Sequence, residues 1–240
     1  MKKQLNTRVA VAALILSCAS SAALAEGHLL AVGGMLRASN SPVYAKFIEL
    51  AGGEKDARIV IMPTASGSQS SSKRFMAELV ALGIPAERIS IVGIDKSNYQ
   101  ATMNDAAVVK PLGEASAVWF VGGDQARIAR ALFNADGSPS LLMQEVRKVY
   151  DKGGVVAGTS AGASILGAQM PTAYGVVMDT LDFGVASKAD QRGAAVLKGS
   201  GLFSGGIIDQ HLDQIEETST GRAARMAAYL SDQKSTRGFG

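Results

Sequence analysis

The stretch from Gly153 to Ile165, Gly-Gly-Val-Val-Ala-Gly-Thr-Ser-Ala-Gly-Ala-Ser-Ile, constrains this chain more than any other. A short apolar run (Val155 to Ala157) enters a Gly-x-Ser-x-Gly pentapeptide, and small helix-tolerant residues follow. That order describes a strand that stops, a sharp turn with Ser160 at its apex, and a helix that starts at once. A turn so tight holds the serine in a strained backbone conformation, and side chains on its neighbours would collide, which accounts for the flanking glycines. Ala161 then offers its N–H at a helix start, where backbone donors favour negative charge. The same residues also suit a plain small-residue turn that lets a helix pack close to a sheet, so the rest of the chain has to decide.

Strand-like and helix-like segments alternate through most of the sequence. Apolar runs suited to buried strands lie at His28–Val32, Arg58–Met62, Ile89–Val92 and Ala117–Val121. Helical spacing fills Pro42–Ala51, Ser72–Ala81, Asp124–Phe133 and Leu141–Tyr150. The first of these helices is expected to stop at Gly52-Gly53. The pattern predicts an α/β fold: a three-layer, doubly wound, mostly parallel sheet with helices on both faces. No repeat, low-complexity tract or linker divides residues 26–240, which read as one domain. Beyond the elbow the pattern becomes irregular, with a short strand expected at Tyr174–Asp179 and a polar loop at Lys188–Arg192.

In such a sheet ligands bind outside the carboxyl ends of the strands. Gly33-Gly34, Pro63–Gly67, Gly122-Gly123 and the elbow all follow strands, so they are expected on one rim. Gly122-Gly123 is the candidate second oxyanion donor beside Ala161, because glycine lets backbone N–H groups approach a substrate closely. Gln125 stands just after it, either as a substrate contact or as a solvated first-turn residue. Gly205 to His211 reads as a strand delivering a histidine at its end. A serine hydroxyl is a weak nucleophile and needs a base within hydrogen-bond reach. The chain has two histidines, and His28 lies near the start of the mature chain, which leaves His211 as the candidate base. For the acid that would orient its ring, Asp179 and Asp209 both remain open.

Composition narrows the setting. The formal charge of +3 is matched by Lys2, Lys3 and Arg8 alone, so nothing points to nucleic acid. Those three residues precede the apolar run Val9–Leu16, too short to span a bilayer, and Ala23-Leu24-Ala25 forms an Ala-x-Ala cleavage site. Residues 1–25 therefore read as a signal peptide, with the mature chain starting at Glu26, periplasmic or secreted and without a membrane anchor. Cys18 is the only cysteine, so cleavage removes any thiol nucleophile or thiolate metal site.

Three motifs in order carry a family resemblance: Phe120-Val121-Gly122-Gly123-Asp124-Gln125, Gly158-Thr159-Ser160-Ala161-Gly162-Ala163 and Ile208-Asp209-Gln210-His211. Their spacing, with Gly221-Arg222 and Arg237-Gly238-Phe239-Gly240 beyond, resembles that of cyanophycinase-like serine peptidases, whose fold is similar to class I glutamine amidotransferases (flavodoxin-like). The resemblance implies Ser160 as nucleophile, His211 as base, and Gln125, Asp209, Gln210 and Arg222 lining the substrate pocket. Arg222 would grip a carboxylate bidentately, with Arg225 a second cation. It implies a peptide or isopeptide substrate at an aspartyl residue (cyanophycin cleaved to β-Asp-Arg dipeptides), no metal or organic cofactor, and a homodimer.

The chain departs from the family pattern in three ways. Leu212-Asp213-Gln214-Ile215-Glu216-Glu217 is acidic where the family has an aromatic and arginines. A further strand is expected after Gly240, so the chain reads as truncated there. The orienting acid of the family, a glutamate, belongs to that same strand. An aspartyl dipeptidase-like hydrolase and a non-catalytic periplasmic binding protein on this scaffold are the alternatives.

Overall fold

The computed structural model describes residues 26–171, 185–186, 194–212, 222–232 and 237–239. The leader expected at 1–25, the strand expected at 174–179, the loop expected at 188–192, Asp179, and the acidic residues from 213 to 217 lie outside the described residues.

The strands are β1 (His28–Val32), β2 (Ile59–Met62), β3 (Ile89–Ile91), β4 (Ala117–Phe120) and β5 (Val155–Thr159). They form one sheet in the order β1-β5-β4-β2-β3, with every pair parallel. Helices α1 (Ser41–Leu50), α2 (Gly53–Asp56), α3 (Ser70–Ala81), α4 (Tyr99–Thr102), α5 (Ala106–Val109), α6 (Gln125–Leu132) and α7 (Leu141–Asp151) fall between them, and α8 (Ala161–Ser164) follows β5. This is the three-layer α/β fold expected. Helix α1 ends at Leu50, just before Gly52-Gly53 as expected, and a separate one-turn helix, α2, begins at Gly53.

Alternation along each strand divides the core in two. Ile59, Ile61, Ala117, Trp119, Val155 and Ala157 face α1 and α3. Val60, Met62, Val118, Phe120 and Val156 face α6, α7 and α8. Because both faces are covered, β2 and β4 are apolar and buried at every position. On the first face Trp119 stacks on Phe75 at 4.2 Å and meets Phe47 edge-on at 5.0 Å, which fixes α1 and α3 against the sheet. On the second, Asp124 caps α6 through Ala126 N–H (2.9 Å) and Ser140 caps α7 through Met143 N–H (3.2 Å).

The register pairs Val32 with Thr159, Phe120 with Gly158, and Met62 with Phe120, so β1, β2, β4 and β5 end level with one another. The order of winding reverses between β2 and β4: the connection from β2 runs outward to β3, and that from β4 runs the other way to β5. The two loops meet there, with Asp124 N–H donating to Ala65 O at 3.0 Å.

Two small sheets follow. Strand β6 (Gln169–Pro171), β7 (Val185–Ala186) and β8 (Ala194–Lys198) form one, in the order β6-β8-β7. Strand β9 (Ile207–Ile208) pairs in parallel with β10 (Gly238–Phe239), and α9 (Arg222–Asp232) lies between them in sequence. Among the described residues no helix is long and apolar enough to cross a membrane.

Candidate active site

Strand β5 ends at Thr159, and Ser160 takes φ 57° and ψ −119°, a region that residues with a Cβ rarely occupy. The strain is held from both sides. Ser160 N–H donates to Val32 O at 2.9 Å, and Ser160 O accepts from Ala163 N–H at 2.8 Å. A Cβ on Gly158 would lie 2.2 Å from Gly162 O, and one on Gly162 would lie 2.1 Å from Phe120 O. Backbone packs on backbone at both points, so the turn can close only around glycine.

The imidazole arrives from far along the chain. Strand β9 is only two residues long, and His211 sits three residues past its end with φ 50°. Its N–H donates to Gly33 O at 3.0 Å. Its ring occupies the space a side chain on Gly34 would need, with Cε1 2.2 Å from the position of that missing Cβ. The loop after β1 thus receives the histidine and places Nε2 2.9 Å from Ser160 Oγ. A hydroxyl and an imidazole within hydrogen-bond reach, on a strained elbow, are the arrangement that serine chemistry requires.

A buried polar network backs this pair. Ser160 Oγ donates to Gln210 Oε1. Gln210 Nε2 donates to Gln125 Oε1 at 2.9 Å, and Gln125 Nε2 donates to Pro171 O at 2.6 Å. The neighbouring Asp209 is fully buried and forms a bidentate ion pair with Arg225, at 2.9 and 3.1 Å. Asp209 Oδ1 also accepts from Gln210 N–H at 2.8 Å, and Arg222 donates to Gln210 O at 3.0 Å.

On its other side Ser160 opens into a cavity of about 390 Å³ at the sheet rim. Gly122 and Gly123 line it beside the serine, and a Cβ on Gly122 would lie 3.1 Å from Ser160 Cβ. Gly123 takes φ 147°, where a side chain would overlap Ala65 O. Ala161 follows Ser160 directly in the chain and is fully buried. The far wall carries charge: Arg37, Arg74 and Glu78, with the Tyr44 hydroxyl donating to Glu78 at 2.5 Å. Burial and that bond to Glu78 push the Tyr44 hydroxyl above its ordinary range, so it stays a neutral donor through alkaline pH.

The structure therefore brings Ser160, His211, Gly122, Gly123 and Ala161 together. Gln125, Asp209, Gln210 and Arg222 gather there too, but none of the four lines the cavity. Gln125, Asp209 and Gln210 are buried and bonded to Pro171 O, Arg225, Ser160 and one another, and the half-buried Arg222 donates to Gln210 O. Asp209 faces Arg225, so it is not turned toward the His211 ring. Among the described residues no group of three or more His, Cys, Asp or Glu is placed to hold a metal ion. The sequence gives little warning of Gly34 as the seat of the imidazole, or of Tyr44, Arg74 and Glu78 as a wall. Their only signal is a position near the rim and an i, i+4 Arg–Glu spacing common to any exposed helix.

Comparison with known proteins adds three findings. Residues 29–240 match the model of peptidase family S51. The chain is 26% identical over 218 residues to a cyanophycinase of Synechococcus elongatus, covering 90% of this chain and 60% of that protein. A cyanophycinase of Thermosynechococcus vestitus gives the same figures. The chain thus spans 60% of the length of the curated relatives it matches. In three dimensions it is similar to the crystal structure of a peptidase from an acI-B1 Actinobacterium. The TM-score is 0.58 at 22% identity, over 85% of this chain and 76% of that one. That likeness extends to the fold.

Proposed function

This chain belongs to peptidase family S51, and from that premise we propose that it is a secreted serine peptidase cleaving peptide or isopeptide bonds at aspartyl residues. The observation that carries the reading is the 2.9 Å contact between Ser160 Oγ and His211 Nε2 on a strained elbow. In the proposed reaction Ser160 Oγ bonds to the scissile carbonyl carbon while its proton passes to His211 Nε2. The displaced carbonyl electron pair rests on oxygen, beside the N–H groups of Ala161 and the Gly122-Gly123 loop. His211 then protonates the leaving amine, and water releases the acyl group by the same route in reverse.

The aspartyl preference is supported by Arg37 and Arg74 on the cavity wall, which supply cations for a substrate carboxylate. Arg222 and Arg225, the cations that the family resemblance implies, are bonded to Gln210 O and to Asp209. The names of the relatives point to cyanophycin as the first substrate to try. An aspartyl dipeptidase-like activity uses the same machinery, so cyanophycin, β-Asp-Arg and α-Asp dipeptides belong in one assay. The leader Met1–Ala25 supports export, and sequencing the N-terminus of the mature protein tests it.

The primary test is covalent labelling by a fluorophosphonate. The wild type is expected to label at Ser160 and Ser160→Ala not at all, with activity at least 10³-fold lower. A folded wild type that never labels would instead favour a binding protein on this scaffold.

A further inference from the structure

Backbone strain in this protein is concentrated at one place. Among the described residues, three other than glycine hold φ in the left-handed region: Met35 at 52°, Ser160 at 57° and His211 at 50°. All three line the same cavity. Ser160 and His211 have a use for the strain, since it presents their side chains to each other. Met35 has no such use in the resting fold.

Glycine or asparagine takes this conformation at much lower cost than a long apolar residue does. The Met35 side chain is also 72% exposed, the most of any large apolar side chain among the described residues. The packing of the loop falls to its neighbour Leu36, which lies against the core on the first face of the sheet. Met35 therefore combines an unfavourable backbone with an uncovered side chain on the wall of the site. Neither cost is offset until a ligand covers it.

Which part of a ligand does so follows from where the imidazole sits. His211 must hand a proton to the departing nitrogen, so the leaving group extends from the scissile bond on the imidazole's side. The oxyanion lies away from it, beside Gly122 and Gly123. Met35 directly follows Gly34, whose missing Cβ would lie 2.2–2.6 Å from three atoms of the His211 ring. It carries the first side chain after the seat of the imidazole. We propose that Met35 determines specificity for the leaving group, packing on an apolar side chain of the residue whose amine departs. An unbranched thioether with three rotatable bonds can follow such side chains closely. The bond changes are those of the proposed reaction: the C–N bond breaks, the amine takes the proton from His211, and Met35 touches only the side chain attached to that amine. The inference rests on reading Ser160 as nucleophile and His211 as its base.

The test compares two substrates with the same aspartyl acyl group, one releasing leucine amide and the other glycinamide. The wild type is expected to favour the leucine substrate in kcat/KM. Met35→Asn suits the left-handed backbone but offers no apolar surface. It is expected to lower that preference roughly ten-fold, the worth of leaving one apolar side chain uncovered. Met35→Leu keeps the apolar surface and should keep most of the preference. Two further measurements separate substrate contact from a structural role. A fluorophosphonate expels fluoride, which has no side chain to touch, so labelling of Ser160 in Met35→Asn should change by no more than about two-fold. The melting temperature of that variant should rise by about 2 °C as the strain is relieved. An unchanged leucine-to-glycine ratio in Met35→Asn overturns the proposal. So does slower labelling together with a lower melting temperature, which would make Met35 a support for the seat of His211. A wild type that labels but shows no preference, or cleaves neither substrate, overturns it too and leaves the serine reading standing. A wild type that never labels removes that reading, and this inference with it.

Discussion

Ser160 has a buried side and an open side, and the two are built from the same residue types under opposite rules. Behind it, Gln125, Asp209, Gln210 and Arg225 are none more than 5% exposed, and each polar group meets a partner at hydrogen-bond distance. In front, Arg74 keeps 71% of its side chain in solvent and stands 3.6 Å from Glu78, too far for a good hydrogen bond. An arginine in the first setting cannot leave its carboxylate without exposing an uncompensated charge to the core. An arginine in the second can exchange Glu78 for a substrate at little cost. The buried side fixes geometry and the open side is free to read a ligand.

The strongest way to break that contrast is to cut the buried ion pair. Arg225→Met strands the fully buried Asp209 carboxylate, and removing one partner of such a pair costs about 3–5 kcal/mol. In a chain of this size that corresponds to a melting temperature lower by roughly 10 °C, read by calorimetry. Pairing it with Asp209→Leu removes the stranded charge and is expected to restore most of the stability. It should not restore peptidase rate, because Gln210 N–H then loses the acceptor that fixes its main chain.

Gly34→Ala acts next, on geometry more than on stability. The new methyl would lie within 2.2–2.6 Å of three atoms of the His211 ring, in a loop that remains partly open to solvent. The imidazole must shift by about 1 Å, and a displacement of that size costs on the order of 100-fold in kcat/KM. The melting temperature is expected to change far less than in Arg225→Met. Equal losses of stability in the two variants would erase the distinction between holding the fold and seating the base.

How much of this could be read from the chain follows from the same physics. Parallel strands covered on both faces must be apolar throughout, so Ile59–Met62 and Ala117–Phe120 announce themselves, as does the elbow by its glycines. Ser160 is legible because the turn needs Gly158 and Gly162, and His211 because imidazoles are so scarce here. The roles of Asp209 and Arg225 are not, since sixteen residues separate them and a charged residue alone does not say whether it is paired or free. Helical spacing held one unused clue: Arg225, Met226 and Tyr229 share the buried side of α9, an odd place for an arginine meant for solvent. The front wall was the least legible part. Tyr44 fits its helix as a core residue, and nothing local shows that its hydroxyl reaches Glu78, thirty-four positions away.

Neutralising the front wall gives the smallest effect and sharpens the comparison most. Arg37→Ala and Arg74→Ala leave the Ser160–His211 pair and its buried network untouched, so kcat and melting temperature are expected to stay close to wild type. Each exposed cation contributes about 0.5–1 kcal/mol to holding a substrate carboxylate. KM for an aspartyl substrate should therefore rise roughly two- to five-fold per substitution, while KM for its asparaginyl counterpart should not move. Salt offers an independent check, because exposed charge pairs are screened and the buried network is not. Raising ionic strength should weaken aspartyl binding in the wild type and much less in the double variant. If the double variant instead loses kcat for both substrates alike, the front arginines belong with Gln210 and Asp209 as part of the fixed geometry, and the division between the two sides of Ser160 does not hold.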